Sequence, residues 1–496
     1  MANASDIVAR ARRTGTLDGL PDGLFLDGAF RPAVSGARME SFDPGRASAF
    51  ASFASGGADD VDAAVESAKK AFETVWRDTA PAGRGRILAR AAQLIREQAD
   101  RLAVAESLDS GKTLSEARGD VGGAARCFEY YAGACDKIEG RSLPLGADYL
   151  GYTLAEPVGV TAHIIPWNYP LSTAARGLAP ALAAGCTVVA KPAETTPFTA
   201  LMLAEILSQA GLPDGACNVV TGTGAQAGAP LVAHADINQV TFTGSVATGQ
   251  SVMRSAADHV TRLVLELGGK SPVIVLSDCD REAALSGVMG AIFENAGQIC
   301  SAGSRLVIER SIADGFVAEL VARAARLTIG HGLDDPDMGA INSAGHLAKV
   351  TGFLDRARTR GAEILTGGTP TVDPETGKGW FFEPTIVGDR PADDELVQEE
   401  IFGPVLTVQI AEDADHALAL ANGTRYGLVA GIYTSGFGTA HRLARRLEAG
   451  QVFINEYFAG GIEAPFGGTK FSGFGREKGL EGLLGYCRTK SVAARL

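Results

Sequence analysis

The chain has 496 residues, 46% hydrophobic and 21% charged, enough for two or three domains with substantial cores. Its 58 acidic residues outnumber 45 Lys and Arg, a formal net charge of −13, and no basic cluster of the kind that nucleic-acid phosphates require is evident. The seven cysteines are scattered and never in CxxC spacing, and the seven histidines form no HExxH pair, so neither a disulfide framework nor a metal site is expected.

The first twenty residues lack the apolar run of a secretory signal, and no stretch approaches the roughly 18 apolar residues of a membrane span. A reducing cytosol is the expected home, with no membrane or nucleic acid among the partners. Helical periodicity comes first, over 59–72, 84–106 and 127–137. From Gly159 onward, short β-branched runs alternate with Ala-rich helices. Strands are expected at 160–165, 187–190, 218–220, 239–242 and 262–266, and helices at 172–184, 198–210, 225–233 and 245–257. Gly185 closes the first of those helices. Thr196 reads as N-cap of the second, with Pro197 at its first position and Gly211 past its end.

A second series starts near Ser271: strand 273–276, helix 281–296, strand 305–308, helix 312–327. Strand–helix repetition implies parallel sheets covered by helices on both faces, so the fold class is α/β, with two doubly wound domains meeting at 268–270. Ligands in such folds bind beyond the carboxyl ends of the strands. That directs attention to the loops after Ile165, Ala190, Phe242 and Glu266, and to the surroundings of Cys300.

The motifs fall at those places. Gly222-Thr-Gly224-Ala-Gln-Ala-Gly228 is one residue longer than a dinucleotide fingerprint, and alone reads equally as a turn. Phe242-Thr-Gly244-Ser245 joins a strand to a helix, where Gly244 permits close approach and the helix amides can meet a pyrophosphate. Lys191 and Glu194 lie three apart at a strand end and could grip ribose hydroxyls, or simply pair with each other. A lone cysteine is usually a small buried hydrophobe. Cys300 has company: Asn168, an amide donor held between Pro166 and Pro170, and Glu266, a carboxylate ending an apolar strand. A thiol, an amide and a carboxylate are the nucleophile, oxyanion donor and base of acyl chemistry.

Together PWNYP, KPAE, FTGS, LELGGK, GQIC, Glu400-Ile-Phe402-Gly-Pro404 and Pro465-Phe466-Gly-Gly468 resemble the hydrolytic, NAD(P)-dependent aldehyde dehydrogenase superfamily, from about Leu26 to the C-terminus. The resemblance implies Cys300 as nucleophile, Asn168 with the Cys300 N–H as oxyanion donors, and Glu266 as the base that activates the hydrolytic water. It implies an NAD site from Ile165, Pro166, Trp167, Lys191, Glu194, Gly224, Phe242, Gly244 and Ser245, with Glu400 and Phe402 at the nicotinamide end. Glu194 favours NAD, because a 2′-phosphate beside it would meet like charge at a cost of about 1–4 kcal/mol. Tyr169, Arg176 and Phe466 fall where the family lines its aldehyde tunnel.

The resemblance also implies a subunit of three parts: an NAD-binding domain of 1–136 and 158–268, a catalytic domain of 269–468, and a small β oligomerisation arm of 137–157 and 484–496. That arm would build a homodimer or homotetramer. Three positions set this chain apart. Many relatives carry Lys at the position of Gly177, paired with the acid matching Glu477, so that proton route is expected to be absent. Asp120 is present but Gly123 stands where aminoaldehyde oxidisers place a second acid. Arg176, which faces the tunnel, is expected to hold an anionic or aromatic substrate or to pair with Glu294. Two rival readings keep the scaffold: transfer of the acyl group to CoA, which the presence of Glu266 disfavours, and a non-enzymatic binding role, which the intact Cys300, Asn168 and Glu266 disfavour.

Overall fold

The structure, a computed structural model, describes residues 4–496. Five apolar runs, Val160–Ile165, Thr187–Pro192, Cys217–Val219, Gln239–Gly244 and Arg262–Leu267, form the parallel centre of an eight-stranded sheet. Chain order runs outward from Val160–Ile165 in one direction and resumes on its other side with Gln239–Gly244, so a topological switch lies between these two strands. A crevice at their carboxyl ends is where such a sheet binds ligands. Both flanks are antiparallel, which the alternation of strands and helices did not reveal: Phe25 pairs with Val219 on one side, and Gly473–Phe474 with Leu265 and Glu266 on the other.

A second sheet of seven strands runs, in spatial order, Ile364–Thr366, Thr385–Asp389, Val405–Ala411, Arg305–Glu309, Pro272–Val275, Val429–Tyr433 and Gln451–Ile454. All its pairings are parallel except the first. The link between the sheets, from Leu267 to Pro272, is where Gly268 and Gly269 stand. A third sheet joins Cys487–Arg495 to Tyr149–Pro157 in an antiparallel ladder, with Ser142–Leu143 beyond.

The helices differ from their sequence reading where tertiary contacts outweigh periodicity. The segment expected as one helix over 84–106 is two, Pro81–Glu97 and Ala99–Ser110, broken at Gln98. Both pack on Leu114–Ala132, whose expected extent of 127–137 missed its first half. A capping box opens that helix: Thr113 accepts from the Glu116 N–H, and the Glu116 carboxylate accepts from the Thr113 N–H. Thr196 does not cap Phe198–Gln209. The Phe198 N–H is accepted by the buried Asp109 carboxylate at 3.2 Å, and the cap position falls to Pro197. The helix Arg281–Phe293 stops three residues before its expected end, with consequences for Cys300.

Candidate active site

After Phe293, Asn295, Ala296 and Gly297 adopt φ of +47°, +52° and +69°, a left-handed excursion that breaks the helix and turns the chain toward Cys300. Only glycine fits the last step, since a Cβ on Gly297 would stand 2.2 Å from the Gly403 carbonyl oxygen. Hydrogen bonds fix the loop. The Asn295 N–H is accepted by Glu116 at 2.7 Å, and its side-chain amide donates to the carbonyls of Asn168 and Gln298 at 3.2 and 3.3 Å. Asn168 Nδ2 donates to the Gln298 carbonyl at 2.9 Å, which uses one of its two N–H groups and leaves the other. Among the described residues no group accepts from the Cys300 backbone N–H.

Glu266 is buried near the end of Arg262–Leu267, and neither carboxylate oxygen has a hydrogen-bond partner among the described residues. Glycines let the parts meet: a Cβ on Gly467 would lie 2.7 Å from Glu266 Oε1, and one on Gly269 would lie 2.7 Å from the Cys300 carbonyl. Burial, and then the like charge of Glu477, pushes the Glu266 carboxyl well above the usual range, against Arg176 and Arg476. Burial likewise pushes the Cys300 thiol up to about 11, with Arg176 the main opposing charge. At neutral pH the thiol therefore keeps its proton until a base removes it.

Cys300 borders a cavity of about 240 Å³, whose wall includes Tyr169, Arg176 and Phe466. Glu294 is not the partner of Arg176; it accepts from the Tyr169 hydroxyl at 3.4 Å. The guanidinium forms its ion pair with Glu477 and lies 4.8 Å over the Phe466 ring. Phe466 and Glu477 exchange two backbone hydrogen bonds, of 2.7 and 2.8 Å, and this bridge presents Glu477 to Arg176. A Cβ on Gly177 would meet His163 Nδ1 at 2.6 Å, and the cation that faces Glu477 is Arg176, one residue earlier. Asp120 also lines the cavity, paired with the buried Lys112 ammonium, which stands 4.0 Å over the Tyr169 ring and 3.7 Å from Glu106. Neither Lys112 nor Glu106 carries a motif, and sequence reasoning passed over both.

A second cavity, of about 530 Å³, opens beside Lys191, Gly224, Gly228 and Thr248. The Lys191 ammonium is buried 3.1 Å from the more exposed Glu194 carboxylate. Space is open before Gly224, whereas a Cβ on Gly244 would strike the Phe242 ring at 2.7 Å. Ser245 caps Val246–Ala257, accepting from the Thr248 N–H at 3.2 Å. Ile165 and Pro166 lead from the strand end to Trp167, which packs edge-on against Phe402 at 5.3 Å. His346, also unforeseen, completes this aromatic group and bonds the Phe402 carbonyl at 2.6 Å. Glu400 accepts from the Gly269 N–H at 2.9 Å, and a Cβ on Gly268 would collide with its carboxylate. Among the described residues no group of His, Cys, Asp and Glu has the geometry to hold a metal.

The aldehyde dehydrogenase family model matches residues 30–492. The chain belongs to the aldehyde dehydrogenase family. Betaine aldehyde dehydrogenase of Bacillus subtilis (strain 168) is 42% identical over 473 residues, covering 95% of this chain and 96% of that protein. Among solved structures, the NAD+ complex of aldehyde dehydrogenase from Bacillus cereus has a TM-score of 0.94 at 40% identity, covering 96% of each chain. Betaine aldehyde dehydrogenase from Staphylococcus aureus, in complex with NAD+, also has a TM-score of 0.94, at 37% identity over 96% of this chain and 95% of that one. These solved relatives thus share the fold described above. No described helix is long and apolar enough to cross a membrane.

Proposed function

We propose that the chain oxidises an aldehyde to its carboxylic acid, with Cys300 as nucleophile and NAD+ as acceptor. One arrangement carries the reading: the Cys300 loop offers a thiol at a cavity and a backbone N–H, the loop after Ile165 a half-committed amide, and the end of Arg262–Leu267 a buried carboxylate, the N–H and the carboxylate being without partners among the described residues. The Cys300 sulfur bonds to the aldehyde carbon as the thiol proton passes to Glu266. Charge on the oxygen is met by the Asn168 amide and the Cys300 N–H, donors worth roughly 2.7–4 kcal/mol each in such sites. Bound NAD+ would supply the acceptor for the hydride that leaves the carbon, and loss of that hydride leaves a thioester on Cys300. Once it has passed the thiol proton on to solvent, Glu266 takes a proton from water, whose oxygen bonds to the thioester carbon as the C–S bond breaks, the Cys300 thiolate is released and the acid leaves.

The cavity beside Gly224 fits the adenosine end: Lys191 and Glu194 would hold the ribose hydroxyls, and Phe242, Gly244 and Ser245 would bring backbone amides to the pyrophosphate. Ile165, Pro166, Trp167, Glu400 and Phe402 would frame the nicotinamide end, while Tyr169, Arg176 and Phe466 border the space for the aldehyde. The division of labour would be NAD binding by 1–136 and 158–268, catalysis by 269–468, and assembly into a homodimer or homotetramer through 137–157 and 484–496. Free thiols throughout fit a reducing cytoplasm.

The test is kinetic. Cys300→Ala abolishes NADH formation. Glu266→Gln loses steady turnover yet releases up to one NADH per site in a slowed burst, with a thioester detectable by mass spectrometry. Full steady-state activity in Glu266→Gln removes the assigned role, and a requirement for CoA in the wild type would move the chain to acyl transfer.

A further inference from the structure

Four charged side chains stand at the wall of the Cys300 cavity: Asp120, Arg176, Glu294 and Lys478. Two are already committed to opposite charges, Arg176 to Glu477 and Asp120 to Lys112. Glu294 accepts from Tyr169, and burial beside Glu116 and Asp120 drives its carboxyl toward the neutral form. Lys478 differs. Among the described residues it makes no ion pair, and its ammonium stands 5.5 Å over the Phe466 ring, the same ring that Arg176 covers.

The backbone holds Lys478 there at a cost. Its φ is +59°, a region that non-glycine residues seldom occupy and that marks an over-determined position. Hydrogen bonds pin both sides: the Glu477 N–H donates to the Phe466 carbonyl at 2.8 Å, the Gly479 N–H to the Ile462 carbonyl at 2.7 Å, and the Tyr131 hydroxyl to the Gly479 carbonyl at 3.1 Å. Burial and the neighbouring Arg176 lower the ammonium to about 8, against Glu477, so it is largely charged at neutral pH. An incoming anion at this point would relieve both effects.

We infer that Lys478 is a specificity-determining residue that recognises an anionic tail, so that the preferred aldehyde is a short chain bearing a carboxylate at the end remote from its carbonyl. The inference rests on the aldehyde-oxidising role proposed above and gives it a substrate class. A cationic aldehyde such as betaine aldehyde, for which two relatives are named, would be repelled by the Lys478 ammonium.

The experiment compares succinate semialdehyde, its neutral methyl ester and betaine aldehyde as substrates of the purified full-length chain, alongside Lys478→Met and Lys478→Arg. Calorimetry of succinate binding provides a readout independent of turnover. The wild type should favour the semialdehyde over its ester, with betaine aldehyde poorest. Lys478→Met should raise KM for the semialdehyde at least about tenfold more than for the ester, the scale of one charge-assisted contact, and Lys478→Arg should restore most of the difference. Succinate affinity should fall in step. An unchanged semialdehyde-to-ester ratio, or equal succinate affinity in wild type and Lys478→Met, overturns the inference. If no aldehyde is oxidised while succinate binding still depends on Lys478, the anion site stands and the reaction assignment fails.

Discussion

Arg176 links the cavity wall to the charges around Cys300 and Glu266. It pairs with Glu477, covers Phe466, and is the main positive influence on both Cys300 and Glu266. A cation beside a thiol lowers its proton affinity, so Arg176→Met should push the already raised Cys300 thiol higher still. Since only the thiolate reacts, alkylation of Cys300 by iodoacetamide rises with pH in both proteins. At a fixed pH of 8 it should be roughly three- to tenfold slower in the variant, read from the Cys300 peptide by mass spectrometry. An unchanged rate would reduce Arg176 to a structural partner of Glu477. Turnover should fall by similar factors for charged and neutral aldehydes, in contrast to Lys478→Met, because Arg176 has its counter-ion within the protein.

The proposed trio of Cys300, Asn168 and Glu266 could be singled out at this scale, because each member sits in a short motif at a strand end or helix end. Arg176 was legible as a residue but not in its pairing. Its true partner lies 301 positions away, brought near by a two-bond bridge between Phe466 and Glu477 that no local pattern announces. Lys112 and Lys478 were missed for a related reason: an isolated lysine in a sequence reads as solvated surface until the fold shows what surrounds it.

At the scale of elements, the Cys300 loop depends on a helix that ends early. Periodicity extended the helix to 296, because Asn295 and Ala296 fit its pattern, but Gly297 and the Glu116 carboxylate hold them in left-handed geometry. Gly297→Ala places a Cβ in a left-handed position, costing about 1–2 kcal/mol, and also forces it against the Gly403 carbonyl. The variant should keep its far-UV circular dichroism, melt at a lower temperature, and lose at least about tenfold in kcat/KM through displacement of the nucleophile. Near-normal kcat/KM would mean that the loop tolerates re-registration. Similar contests explain the other differences. The break at Gln98 lies where two helices must each lie along Leu114–Ala132, and the buried Asp109 carboxylate takes the Phe198 N–H that Thr196 was expected to cap.

For the molecule as a whole, the ladder of Cys487–Arg495 on Tyr149–Pro157 exposes Tyr149, Leu150, Tyr152 and Leu154, an apolar surface that a single subunit leaves in water. Removal of residues 487–496 should lower the mass measured by light scattering to that of one subunit, while the site residues, which all lie outside the deleted segment, remain in place. A wild type that is monomeric at micromolar concentration would refute the assembly role.

The class of fold could be read from the chain alone, and so could the motifs from which Cys300, Asn168 and Glu266 are proposed as the reacting groups. Alternating strand and helix periods can bury their apolar faces only as covered parallel sheets, and the motifs that carry chemistry are compact enough to be read locally. The antiparallel flanks, the helix ends, the pairing of Arg176 with Glu477 and the lack of an ion-pair partner for Lys478 among the described residues came from tertiary contacts alone. Those outcomes depend on which distant groups share a buried space, where one unsatisfied charge or hydrogen bond outweighs the propensity of several residues.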